Sequence, residues 1–150
     1  MVKVYDHKKI EDIIYSEWEK NGYFKPEINP DGKPYSIILP PPNANAPLHF
    51  GHAMYVIEDI LIRYHRMKGF STLWLPGADH AGFETQFVFE KHLAGKSKSR
   101  FDYDRETLYQ MIWDFVQKNR GGMESQLRKL GFSLDWSRMK FTLDPDIVSI

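Results

Sequence analysis

Two segments in the first half of the chain carry apolar residues at helical spacing. The first covers residues 8–21, is ended by Gly22, and has apolar positions at Ile10, Ile13, Ile14 and Trp18. The second covers residues 53–68 and is the clearest helix, with one apolar face and one charged face. An apolar stripe of this kind ordinarily faces a protein core. The stripe consists of Ala53, Val56, Ile57, Ile60, Leu61 and Tyr64, and the opposite face of Glu58, Asp59, Arg63 and Arg66.

A short apolar run lies on each side of this second helix. Residues 35–39 and residues 71–75 are almost continuously apolar, as expected of strands buried on both faces in a parallel sheet. Prolines at 40–42 end the first strand, a Pro-Gly pair ends the second, and Gly69 caps the helix between them. Strand, helix and strand in this order predict a βαβ unit with a right-handed crossover. The predicted fold class is therefore α/β.

The remaining segments are less regular. Residues 84–93 and residues 105–130 have helical patterns, and we expect the second of these helices to be interrupted at Gly121 and Gly122. Residues 134–150 mix strand and helix signals. We therefore divide the chain into an amino-terminal helix and loop, residues 1–34, and an α/β part, residues 35–150.

Composition places the chain among ordinary globular domains, with 150 residues of which 42% are hydrophobic and 27% charged. Lys and Arg number 20 and so do Asp and Glu, so the basic footprint that nucleic-acid binding usually leaves is missing. The chain has no cysteine, which excludes disulfides and thiolate zinc sites and fits the cytoplasm. Residues 1–9 do not resemble a secretory signal, and we expect no membrane span.

The first candidate binding segment, residues 40–52, lies between the first strand and the long helix. In open α/β sheets, ligands bind beyond the carboxyl ends of the strands, and a helix amino terminus offers N–H groups to a phosphate. His49 and His52, three residues apart, fall on one face of the first turn. Gly51 has no side chain, so a flat ring could lie against the backbone there. Two histidines at a helix start are more often capping or surface groups than ligands.

A second candidate segment, residues 76–86, follows the second strand and so emerges at the same edge of the sheet. It contains Asp79, which has glycines on both sides and could pair with an ammonium group. The residues alone leave two alternatives open. Asp79 could be a helix N-cap. A metal-dependent hydrolase could instead use four ligands from the two segments, His49, His52, Asp79 and His80.

Several motifs give these segments a family resemblance. The sequence His49-Phe50-Gly51-His52 resembles the His-x-Gly-His element of class I aminoacyl-tRNA synthetases. Residues 40–43 (Pro-Pro-Pro-Asn) and 76–82 (Pro-Gly-Ala-Asp-His-Ala-Gly) resemble motifs of the valyl-tRNA synthetases. Residues 18–24 agree with the same family, and residues 127–142 resemble the stretch that precedes its inserted editing domain. The chain thus resembles an amino-terminal catalytic-domain fragment of that family.

The resemblance implies that residues 35–150 are the first half of a Rossmann-like, parallel-sheet nucleotide-binding catalytic domain, ending near the editing-domain insertion. It implies ATP-dependent activation of valine to valyl-adenylate and transfer to tRNA(Val), with Mg²⁺ arriving with ATP and no structural metal. His49 and His52 would be catalytic and bind the phosphates of ATP, and Gly51 would receive its adenine. Asp79 would pair with the valine ammonium. The backbone around three further residues would shape the amino-acid site: Pro41, Pro42 and Asn43.

The chain departs from the family's sequence in one loop. Asn45 and Ala46 stand where the family usually has Thr-Gly, which changes the expected shape of the loop. A nucleotide-binding module without catalysis is therefore a further alternative. We also expect the 150-residue piece to be inactive alone, because it lacks the rest of the catalytic fold, and to self-associate through an unpaired sheet edge.

Overall fold

The computed structural model describes residues 4–149, so the sequence predictions for residues 1–3 and Ile150 lie outside it. The strands are β1 (Pro34–Ile38), β2 (Ser71–Leu75), β3 (Gly77–Ala78) and β4 (Lys140–Phe141). The helices are α1 (His7–Lys20), α2 (Met54–Met67), α3 (Gly82–Ala94), α4 (Arg105–Lys129) and α5 (Pro145–Val148). Four short 3₁₀ turns complete the structure: Pro26–Ile28, Phe50–Ala53, Arg100–Asp102 and Trp136–Arg138.

The chain folds into two compact units, each built from separate stretches of sequence. The described part of the first unit comprises residues 4–39 together with Phe50–Pro76 and Leu127–Met139. The second comprises Pro40–His49, Gly77–Gln126 and residues 140–149. The first unit therefore contains α1, β1, α2 and β2, and the second contains β3, α3, β4 and α5.

The centre of the first unit is the predicted βαβ arrangement. Strands β1 and β2 pair in parallel, with Ile37 opposite Trp74, and α2 connects them. The pairing continues one residue further, since the Leu39 N–H donates to the Leu75 carbonyl at 3.0 Å. Leu39, Trp74 and Ile62 of α2 are fully buried. The prediction of an α/β fold with parallel strands is confirmed.

The orientation expected for α2 is wrong. Its apolar stripe is exposed, with Ile57 and Ile60 keeping 64% and 59% of their surface accessible. The buried residues of the helix are Tyr55, Asp59 and Ile62, so a side expected to be solvated faces the core. A polar residue can be buried without large cost when its hydrogen bonds are satisfied. This condition is met at Asp59, as its partners below show.

The buried face of α2 is held by hydrogen bonds to the segment after α4. Asp59 accepts from the backbone N–H and hydroxyl of Ser133 and, through its second oxygen, from Arg63 Nε at 2.7 Å. Glu58 accepts from the indole N–H of Trp74 at 3.0 Å, and burial raises the pKa of this carboxyl. These bonds explain why charged residues occupy the inner side of this helix.

Helix α1 is joined to the same segment through Tyr15. The Tyr15 hydroxyl donates to the Phe132 carbonyl at 2.7 Å and accepts from the Trp136 indole N–H at 2.7 Å. Burial raises the pKa of Tyr15 to about 12. The aromatic ring of Phe24 packs on Tyr15 with ring centroids 5.5 Å apart. Residues 127–139 thus bind α1 and α2 within the first unit.

Helix α4 is continuous, so the expected interruption at Gly121 and Gly122 is also wrong. The helix runs through both glycines, and a methyl group added at either would meet no atom within 4 Å. Packing supports the helix here, since Met123 and Leu127 just after the glycines are buried, and Arg120 pairs with Glu124 at 3.0 Å. Two glycines lower helix stability without ending a helix that other contacts hold.

In the second unit, β3 and β4 form a short parallel pair with Ala78 opposite Phe141. Phe141 is buried, lies edge-on to Trp113 at 6.2 Å, and has the guanidinium of Arg120 5.1 Å from its ring centre. Between residues 4 and 149, no helix is long and apolar enough to cross a membrane.

Candidate active site

Two loops of the second unit, which follow β1 and β2 in sequence, are joined by backbone hydrogen bonds. Asn43 and Asp79 form a parallel bridge. The Asp79 N–H donates to the Pro42 carbonyl at 2.9 Å, and the Ala44 N–H donates to the Asp79 carbonyl at 2.8 Å. The structure thus brings together four of the predicted site residues, Pro41, Pro42, Asn43 and Asp79.

The close approach of these loops depends on a glycine. A Cβ placed on Gly77 would lie 3.3 Å from Cβ of Pro41, which is tighter than ordinary side-chain contact. Pro42 and Ala44 are buried, whereas Asn43 between them is exposed. Pro42 and Ala44 therefore anchor the loop, and Asn43 between them lies at the surface.

The side chain of Asp79 is not the N-cap of α3. That position belongs to Ala81, which has a left-handed φ of 53° and makes no side-chain capping bond. Asp79 Oδ1 instead accepts the Ala81 N–H at 3.0 Å and the Thr142 hydroxyl at 3.1 Å. An aspartate that bonds the N–H two residues on forms an Asx turn, which is the local reason for the sharp entry into α3. The side chain remains 37% exposed.

His80 points toward β4 and the residue that follows it. Its Nδ1 lies 2.6 Å from Thr142 Oγ1, and its backbone N–H donates to the same oxygen at 2.9 Å. Within residues 4–149, no three His, Asp or Glu side chains are grouped so that they could hold a metal ion. The metal-dependent hydrolase alternative therefore gains no support from the arrangement of its four proposed ligands.

Asn43 has a side-chain partner that sequence reasoning missed. Its Nδ2 donates to Glu84 Oε2 at 2.6 Å. Glu84 lies in the first turn of α3, where a negative charge interacts favourably with the helix dipole. Thr142 is the second missed residue. Each lies about 40 or more positions from its partner in sequence, so no local spacing could have paired them.

The histidine motif straddles the two units in sequence. His49 is exposed and is the last residue of its stretch of the second unit. Gly51 and His52 belong to the first unit and lie in the 3₁₀ turn Phe50–Ala53, which leads directly into α2. His52 is half-buried, and its ring lies 5.5 Å from that of Tyr55. Gly51 is exposed, as a residue must be if a ring is to lie on its backbone.

Two cavities of about 290 and 270 Å³ lie in the first unit. The larger is lined by residues that include Glu19, Arg128 and Trp136, and the smaller by residues that include Trp18 and Arg66. Neither is lined by a predicted site residue.

Comparison with known proteins gives a consistent result. The family of class I tRNA synthetases (I, L, M and V) matches residues 13–149. The valine--tRNA ligase of Chlamydia caviae is 48% identical over 145 residues, which are 95% of this chain and 15% of that protein. The chloroplastic/mitochondrial valine--tRNA ligase 2 of Arabidopsis thaliana is 49% identical over 138 residues, 91% of this chain and 14% of that protein. The chain thus spans about 15% of the length of the first of these relatives.

A solved structure shares the fold. It is the LeuRS of Agrobacterium radiobacter K84 in a ternary complex with tRNA and LeuAMS, with a TM-score of 0.77 and 23% sequence identity. The similarity covers 97% of this chain and 16% of the LeuRS chain. It confirms the Rossmann-like α/β fold predicted from the sequence.

Proposed function

This chain belongs to the class I tRNA synthetases, and we propose that it is the amino-terminal part of the catalytic domain of a valine--tRNA ligase. The observation that carries the proposal is the identity of about 48% with valine--tRNA ligases over 95% of the chain. The loop pairing at Asn43 and Asp79 supports it, because the two valyl-like motifs predicted from the sequence are in contact. The proposed substrates of the whole enzyme are ATP, valine and tRNA(Val).

The proposed amino-acid site is the pair of loops in the second unit. The Asp79 carboxylate is partly exposed and would pair with the valine ammonium, an interaction that is strong when both groups are charged. Pro41, Pro42 and Asn43 would shape the wall beside it, since this loop is fixed by backbone hydrogen bonds of Pro42 and Ala44 to Asp79. This arrangement leaves the valine carboxylate free to react.

The proposed ATP site uses the start of α2. The N–H groups of a helix amino terminus attract anions, and His49 and His52 would donate hydrogen bonds to the phosphates. Gly51, which is exposed, would receive the adenine ring. Mg²⁺ would enter bound to ATP, as is usual for this ion.

In the proposed reaction, a carboxylate oxygen of valine attacks the α-phosphorus of ATP. The bond from that phosphorus to the bridging oxygen breaks, and pyrophosphate leaves with the electron pair. A hydroxyl of the tRNA 3′-terminal ribose then attacks the valyl carbonyl and releases AMP. Donors placed at the phosphates would act mainly on the charge that moves onto pyrophosphate.

Three further parts of the proposal concern the whole protein. Residues 35–150 would be the first half of the catalytic domain, with an editing domain inserted near Ile150. The isolated chain would be inactive, because it would lack the second half of that domain, and it would self-associate. The cytoplasmic location expected from the sequence stays a prediction that cell fractionation can check.

The test is valine-dependent exchange of radiolabelled pyrophosphate into ATP by the full-length polypeptide that carries this chain. We expect exchange with valine to exceed exchange with isoleucine, leucine and methionine. Exchange with threonine should be lower than with valine by about a hundredfold, the limit known for a hydrophobic pocket of this enzyme class. A preference for another amino acid, or the absence of any exchange, would contradict the proposal.

A further inference from the structure

Thr142 lies at the centre of a small hydrogen-bond network beside Asp79. Its Oγ1 is 3.1 Å from Asp79 Oδ1, 2.9 Å from the His80 backbone nitrogen and 2.6 Å from His80 Nδ1. Thr142 directly follows β4, whereas Asp79 and His80 directly follow β3. The parallel pairing of the two strands therefore brings these three residues together, although Thr142 is 63 positions from Asp79.

The direction of the network depends on which ring nitrogen of His80 carries the hydrogen. A threonine hydroxyl donates one hydrogen and accepts through two lone pairs. The His80 backbone N–H occupies one lone pair, and His80 Nδ1 occupies the other when it carries the ring hydrogen. The single hydroxyl hydrogen is then directed to Asp79 Oδ1, where a carboxylate oxygen accepts it. His80 thus orients Thr142, and Thr142 orients Asp79.

This network leaves the two oxygens of Asp79 in different surroundings. Oδ1 receives both the Thr142 hydroxyl and the Ala81 N–H. Within residues 4–149, no hydrogen bond is found at Oδ2, and the side chain is 37% exposed. One oxygen is fixed by the fold while the other can receive a ligand.

Thr142 itself is held rigidly. Its backbone N–H donates to the Ala78 carbonyl at 3.1 Å, which extends the β3–β4 pairing. The preceding residue, Phe141, is buried, and its N–H donates to Asp144 Oδ2 at 2.8 Å. The Asp144 N–H in turn donates to the Phe141 carbonyl at 2.9 Å. Thr142 is therefore placed by a closed turn on one side and by a strand pair on the other.

We propose that Thr142 is a positioning residue for amino-acid recognition: its hydroxyl, oriented by His80, fixes the Asp79 carboxylate so that Oδ2 faces the substrate ammonium. This inference rests on the proposed function, in which Asp79 binds that ammonium. The residue acts through Asp79 and touches no substrate atom. Its loss should therefore weaken recognition of the amino group and leave the nucleotide site unchanged.

The first experiment compares Thr142→Val, which keeps the shape but removes the hydroxyl, with Thr142→Ser, which keeps it. In pyrophosphate exchange by the full-length polypeptide, we expect Thr142→Val to raise the KM for valine about five- to thirtyfold, which is less than for direct loss of a hydrogen bond to a charged group because Thr142 acts through Asp79. The KM for ATP should stay within about twofold, and Thr142→Ser should restore most of the valine affinity. Thr107→Val is the matched control, because Thr107 donates to Asp104 at 2.6 Å in an exposed pair elsewhere in the same unit.

Two inhibitors separate positioning from general loss of structure. Valinol keeps the ammonium of valine, whereas isovalerate lacks it. We expect Thr142→Val to weaken inhibition by valinol and not by isovalerate, and to have no further effect in an Asp79→Asn background. Equal weakening of both inhibitors, or an unchanged KM for valine, would overturn the proposal.

The network can also be tested without catalysis. Nitrogen-15 spectra of the 150-residue chain should show hydrogen on His80 Nδ1, and Thr142→Val should shift that signal. A His80 ring protonated on Nε2 alone would overturn the inferred direction. If the unmodified enzyme shows no valine-dependent exchange, the proposed function is contradicted. The spectra would then still show whether the hydrogen-bond network has the inferred direction.

Discussion

The carboxylate of Asp59 receives two hydrogen bonds from Ser133, one from its backbone N–H at 2.9 Å and one from its hydroxyl at 2.6 Å. Both residues are buried, and they lie 74 positions apart in sequence. Arg63 Nε donates to the other oxygen of Asp59. Both carboxylate oxygens of Asp59 are therefore hydrogen-bonded in the interior of the first unit, and these bonds hold this side of α2 inward together with buried Tyr55 and Ile62.

Replacing Ser133 by alanine should lower the free energy of unfolding by about 1–3 kcal/mol, because a buried carboxylate loses a donor. The change can be measured by urea unfolding of the 150-residue chain. Ser125→Ala is the control, since its exposed hydroxyl bonds only a carbonyl within α4. We expect that control to change the unfolding free energy by less than about 0.5 kcal/mol. Equal effects of the two substitutions would contradict the role given to Ser133.

Alanine at Gly121 or Gly122 should stabilise the chain. Both glycines lie inside α4, are exposed, and leave space for a methyl group. Each replacement should add about 0.5–1 kcal/mol to the unfolding free energy, because alanine loses less backbone entropy in a helix.

Gly69 provides the opposite control for this prediction. A methyl group there would also meet nothing within 4 Å, but its φ of +81° is unfavourable for alanine. Gly69→Ala should therefore destabilise the chain. A stabilising effect at Gly69, or a destabilising effect at both positions in α4, would show that backbone conformation does not decide these changes.

Asp79→Asn should separate recognition of the ammonium from local structure. Asparagine can still accept the Ala81 N–H, so the turn into α3 should survive. Loss of the charge should raise the KM for valine about ten- to a hundredfold in the full-length polypeptide, with the KM for ATP nearly unchanged. Asp104→Asn is a suitable control, because Asp104 accepts from Thr107 at an exposed position. A valine KM equal to that of the parent would limit Asp79 to a structural role.

The elements that could be predicted from sequence are those whose signal is local. The strands around Ile37 and Trp74 are short apolar runs ended by proline, and the structure has them within one residue of the prediction. Their parallel pairing also followed, because a helix connects them. The continuous course of α4 through Gly121 did not follow, since burial of Met123 and Leu127 after the glycines offsets their low helix propensity.

The residues of the candidate site could be predicted only where they carry a local sequence signal. Asn43 and Asp79 stand in motifs that can be recognised in the sequence, and the structure joins them through the backbone. Glu84 and Thr142 carry no such local signal. They become partners of these residues only when α3 and β4 are in place.

The apolar face of α2 is the clearest case in which sequence and structure disagree about burial. Ile57 and Ile60 were expected in a core and are exposed, together with Val56, Leu61 and Tyr64. Adjacent exposed apolar side chains of this kind mark a surface on which another protein surface can pack.

This exposed face should make the isolated chain self-associate. A helix face with several adjacent apolar side chains is a surface on which a second copy can pack, and burying one isoleucine contributes about 1.5–3 kcal/mol. Ile57→Glu should therefore raise the dissociation constant of the self-associated chain at least about tenfold, as measured by sedimentation equilibrium. Ile13→Glu is the matched control, because Ile13 of α1 is 63% exposed but lies on a different helix. If Ile13→Glu weakens association as much as Ile57→Glu, the contact between copies is not made by α2. If the parent chain is monomeric at high micromolar concentration, the exposed face does not drive association.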